Sequence, residues 1–154
     1  AQGRPVASSP VLVGQALGDV APPDIGTRPP SKVKLHEKVT NAGRFVTAAG
    51  SNHKGEDIVW LDYNAALSMH RVRNVPGESR TKRLQTPTVA DNRISFGCVN
   101  IPASFYDRYI DPLFSRSKGV VYVLPETKSI ASLFPFADGS VPAQAVAQQI
   151  PAAR

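Results

Sequence analysis

The chain has 154 residues and a mass of 16.5 kDa, with 18 Lys+Arg against 12 Asp+Glu, a formal net charge of +6 and a pI near 9.8. That is the length of one domain with a tail, enough to bury a core without staples. A single Cys excludes an internal disulfide, three scattered His do not make a structural zinc site, and no apolar run is long enough to span a membrane.

Fourteen Pro and 11 Gly disfavour a helical bundle and favour strands joined by loops. Residues 1–14 alternate loosely, through Val6 and Val11 to Gly14, and predict a strand or strand pair. Four prolines make 18–31 a loop, and the turn cluster 40–43 leads into a strand over 43–48. A polar loop over 51–57 precedes the run 58–63, apolar enough for a central strand, and a further strand is predicted over 66–72. Residues 74–92 form a long polar stretch, of the kind that is functional or mobile in a compact domain. Pro102 suits the first position of a helix carrying Phe105, Tyr109, Ile110 and Leu113 at helical spacing, with Pro112 kinking or ending it. A second central strand is predicted over 119–124, and 126–154 becomes an Ala-, Gln- and Pro-rich tail. The fold class expected is mainly β, a sandwich or barrel with one attached helix.

The basic residues are spread along the chain. Arg71, Arg73, Arg80, Lys82, Arg83 and Arg93 form the densest stretch, but without interleaved aromatics or any nucleic-acid motif, so no nucleic-acid partner is expected. Nothing in the sequence asks for a cofactor or a metal.

Cys98 follows a glycine in the run 91–102. Glycine lets the backbone turn sharply and a substrate carbonyl approach, and a thiol just ahead of a helix gains thiolate character. Gly-Cys by itself fits a buried inert thiol equally well. A nucleophilic Cys needs a base, usually His. His36 and His53 lie in charged or polar segments and read as solvated. His70 lies on a predicted strand with Ser68 and Ala66 on its face, where it either lines a cleft or is a half-buried strand histidine.

The run Ser95-Phe96-Gly97-Cys98-Val99-Asn100 resembles the signature of the L,D-transpeptidase (YkuD-type) catalytic domain, Ser/Thr-x-Gly-Cys-hydrophobic-Asn/Arg with an upstream His. The turn Thr40-Asn41-Ala42-Gly43-Arg44-Phe45 is similar to that family's turn into a strand, and Met69-His70 stands where the family has its hydrophobic-His pair. The resemblance implies a catalytic domain over 1–125, with the family's first strand apparently missing, and a tail over 126–154. It implies Cys98 as nucleophile and His70 as base. It also implies Gly97 and Cys98 backbone N–H groups as oxyanion hole, Ser95 ordering the loop and Asn100 bracing the site. Arg71 and Arg93 are expected to bind substrate, and the 74–92 loop to form a lid whose arginines meet carboxylates. The implied activity is acyl transfer on peptidoglycan tetrapeptide stems to the amine of another stem or of a protein, in the periplasm or cell envelope. The alternatives are an L,D-carboxypeptidase or peptidoglycan hydrolase or amidase on the same fold, and a non-catalytic wall-binding domain with an inert Cys98.

Overall fold

The apolar run that stands out in the sequence lies inside the largest sheet. The computed structural model describes residues 4–137. Its strands are β1 (Val13–Gly14), β2 (Gly43–Val46), β3 (Ala48–Ser51), β4 (Asp57–Asp62), β5 (Leu67–Arg71), β6 (Arg93–Ser95), β7 (Val99–Ile101) and β8 (Val120–Val123). Its short helices are α1 (Arg80–Arg83), α2 (Ala103–Phe105), α3 (Asp111–Phe114) and α4 (Ile130–Leu133), with a π turn over Tyr106–Ile110 joining α2 to α3. The fold is mainly β, but among the described residues the strands form three separate sheets with no closed barrel: β3-β4-β5-β7, β1-β6 and β2-β8.

β4 buries Ile58, Val59 and Leu61, and Val59 and Leu61 join Leu67, Met69, Ile101 and Tyr106 in one core. β-Branched residues suit such a pleated, doubly flanked strand. β5 runs antiparallel to β4, whereas β7 runs parallel to β5, placing His70 opposite Asn100. A parallel neighbour needs a long crossover, and residues 72–98 supply it.

Several expectations change. Among the described residues of the 1–14 segment, only Val13–Gly14 is strand, with Leu12 bridged to Asn100. The strand expected over 43–48 breaks at Thr47, which is fully buried and exchanges hydrogen bonds with Gly119: its N–H donates to the Gly119 carbonyl at 2.9 Å, and its Oγ1 accepts from the Gly119 N–H at 2.8 Å. That bond passes the chain from the β2-β8 ribbon to the four-stranded sheet. β8 is therefore not central. It pairs with β2 alone and leaves Val120 and Tyr122 exposed. Ala66 belongs to the turn before β5, at φ 50°. Pro102 caps the helix from outside, Tyr106 rather than Leu113 anchors it, and Pro112 sits in the first turn of α3 just past the π turn. There the Asp111 N–H reaches back to the Tyr106 carbonyl.

Packing also continues beyond residue 125. The backbone N–H groups of Glu126 and Thr127 donate to the Asp19 carboxylate, and Phe134 is buried with its ring 5.3 Å from that of Tyr122. The part of the expected 126–154 tail from residue 138 onward lies outside the described residues.

Candidate active site

Cys98 stands in the tight connection between β6 and β7. Ser95 Oγ accepts the Gly97 N–H at 3.0 Å and donates to the Cys98 carbonyl at 2.7 Å. Asn100 Nδ2 donates to the same carbonyl at 3.1 Å. Thr40 Oγ1 donates to the Gly97 carbonyl at 2.6 Å and accepts the Gly14 N–H at 2.9 Å. Gly97 has φ 142°, and a Cβ there would lie 2.8 Å from the Val39 carbonyl oxygen, so only glycine fits. The main chain of Cys98 is held by two side-chain donors, and the preceding peptide by a third.

The sulfur makes weaker contacts. Cys98 Sγ lies 3.2 Å from the Ala66 carbonyl, to which the thiol donates, and Ser68 Oγ approaches Sγ at 3.5 Å. Ser68 and His70 alternate along β5 and share a face, and the register sets His70 across from Asn100, two residues beyond Cys98. His70 Nδ1 is 2.8 Å from the Arg71 carbonyl. A carbonyl only accepts, so the proton sits on Nδ1 and Nε2 keeps its lone pair. Burial pushes the His70 pKa below its ordinary 6.5; the bond to the Arg71 carbonyl opposes this, while the charges of Arg73 and Arg80 push it further down. The imidazole is thus neutral at neutral pH. No hydrogen bond joins it to Cys98 among the described residues; the thiol faces Ala66 and Ser68 instead. Nor does a helix N-terminus abut the sulfur, because β7 intervenes before α2 begins at Ala103.

Beside the sulfur opens a cleft of about 370 Å³, lined by Ala66, Phe96, Gly97 and Cys98 together with Ile25, Val33 and Val39. The rest of this lining comes largely from the proline-rich segment 21–39, and none of it from the 74–92 loop expected as lid. Arg28, which also lines the cleft, pairs with Glu37 at 3.0 Å and with Asp24 at 3.0 Å. Gly26 lies against the Asn64 carbonyl so closely that a Cβ would come within 2.0 Å of it. The prolines at 22, 23, 29 and 30 were the only sequence sign that this loop holds a shape.

The expected substrate-binding arginines are otherwise engaged. Arg93 donates to the Ala16 carbonyl and pairs with Glu126 at 2.5 Å. Arg71 pairs with Asp57 and Asp107 and lies over the Tyr106 ring at 4.4 Å. Arg83 ties the Glu78 and Asp91 carbonyls together, and Arg80 turns inward to Glu78 and Asn100. The Gly97 N–H, expected at the oxyanion hole, is committed to Ser95. His36 and His53 are exposed, and no cluster of three His, Cys, Asp or Glu among the described residues could hold a metal. No protein-family profile, curated protein or solved structure matches this chain.

Proposed function

We propose that the chain is a cysteine L,D-transpeptidase acting on peptidoglycan stem peptides in the cell envelope. The observation that carries this reading is the clamped Cys98 carbonyl at the edge of an apolar cleft, with a buried neutral His70 on the adjoining strand face. The thiol swings away from the Ala66 carbonyl and gives its proton to His70 Nε2. The thiolate attacks the carbonyl between the third stem residue and the terminal D-Ala. The Cys98 N–H, with the Gly97 N–H already spent, receives the developing oxyanion. The C–N bond breaks as His70 returns the proton to the departing D-Ala amine, leaving a thioester. An acceptor amine resolves the thioester in transpeptidation; water resolves it in carboxypeptidation. General-base assistance of this kind is worth about a hundred- to ten-thousandfold.

The test is intact-mass spectrometry after incubation with meropenem, beside an assay of D-Ala release from a tetrapeptide stem. One adduct, absent in Cys98→Ala, together with D-Ala release is the expected result. A Cys98 that iodoacetamide alkylates but that yields neither adduct nor D-Ala overturns the reading. The second reading, a wall-binding domain without chemistry, is favoured by the thiol's bond to Ala66 in place of His70. It calls for binding to purified sacculi with Cys98 unreactive to both reagents.

A further inference from the structure

Arg80 comes from the 74–92 stretch yet ends beneath the Cys98 loop, its side chain only 12% exposed. The residue before it, Ser79, sits at φ 48°, a conformation that costs a non-glycine residue energy. Arg80 Nη1 donates to Asn100 Oδ1 at 2.9 Å, and Nε is fixed by the Glu78 carboxylate. A guanidinium has donors only. Asn100 must therefore present its oxygen to Arg80 and its amide nitrogen to the Cys98 carbonyl. Asn100 is 1% exposed, so solvent offers the amide no other orientation.

We propose that Arg80 is a positioning residue for Cys98, orienting the Asn100 amide that clamps the nucleophile's carbonyl. This rests on the reading of Cys98 as nucleophile. A second effect follows from the same placement. Burial is the main cause that disfavours a charged imidazole at His70; the charges of Arg73 and Arg80 act in the same direction, and that of Glu56 opposes them. Arg80 thus holds the nucleophile's main chain and, behind burial and Arg73 and against Glu56, adds to what disfavours a charged imidazole at His70.

The test measures the rate of Cys98 acylation by meropenem against pH. In Arg80→Met the rate falls by up to about a hundredfold, the scale of a mispositioned reacting group, and the acid limb moves to higher pH. Arg80→Lys keeps the limb in place and recovers part of the rate, which a merely structural arginine would not allow. A folded Arg80→Met with wild-type rate and limb overturns the proposal. Should Arg80→Met fail to fold, Asn100→Asp takes its place: it still accepts from Arg80 but cannot donate to Cys98, so it must slow acylation, and a wild-type rate overturns the proposal. If wild-type Cys98 is not acylated at any pH, the functional reading fails separately. Arg80 is then judged by the Asn100 side-chain amide protons in the NMR spectrum. Their loss of exchange protection in Arg80→Met supports the clamp, and retained protection overturns it.

Discussion

Gly97→Ala separates the geometry of the Cys98 turn from its resemblance to a motif. Two penalties apply. A non-glycine residue at positive φ costs on the order of 1–3 kcal/mol. The new Cβ would also sit 2.8 Å from the Val39 carbonyl oxygen. That obstacle is backbone, next to Thr40, and cannot rotate aside. Relief requires residues 96–98 to withdraw, which weakens the Thr40–Gly97 bond at 2.6 Å and the Gly97–Ser95 bond at 3.0 Å, each worth about 1 kcal/mol. The total is about 3–5 kcal/mol, a large part of the roughly 5–15 kcal/mol that holds a domain together. Gly55 provides the control: it has φ 77° with nothing within 4 Å of its would-be Cβ, so Gly55→Ala feels the backbone strain alone. Urea unfolding at matched m-values should show Gly97→Ala losing about 2 kcal/mol more than Gly55→Ala, the worth of the clash and the two bonds. Equal losses, or a Gly97→Ala within about 0.5 kcal/mol of wild type, as for an unremarkable surface change, would refute the close approach.

Thr40→Val removes the donor to the Gly97 carbonyl and the acceptor of the Gly14 N–H. It should cost about 1–3 kcal/mol in urea unfolding and slow Cys98 acylation, since the turn loses its outer tie. Arg71→Met should lower the melting temperature modestly, because its pairs with Asp57 and Asp107 are partly exposed and such pairs contribute about 1 kcal/mol or less; the acylation rate should hold, and a collapse in rate would return Arg71 to the site. The depressed pKa of His70 makes stability depend on pH. Below 6.5 the unfolded chain takes up a proton at this residue that the folded chain resists, so the contribution is full above 6.5 and lost as pH falls from 6.5 toward the lower folded value. Melting temperatures of wild type and His70→Gln should therefore differ in slope across that window, and parallel curves would show that His70 titrates normally.

What the sequence determined by itself is local. The run 58–63 announces its strand because Ile58, Val59 and Leu61 carry β propensity and apolar area in the same residues. The turn around Cys98 is legible because Ser95, Gly97 and Asn100 make their hydrogen bonds across two or three positions, within the span of a motif. The tertiary structure decided what depends on partners far along the chain. Thr47 breaks a plausible six-residue strand because Gly119, 72 positions away, pairs with it. Arg93 is spent on Glu126 and Arg71 on Asp57 and Asp107, although a guanidinium beside a motif reads equally well as a substrate contact. Much of the cleft lining comes from 21–39 because Gly26 packs against Asn64 and Thr40 reaches Gly97 across 57 positions. Side-chain type shows what a residue is able to bond, but the partner is set only when sheet register and loop closure bring distant groups within hydrogen-bond range.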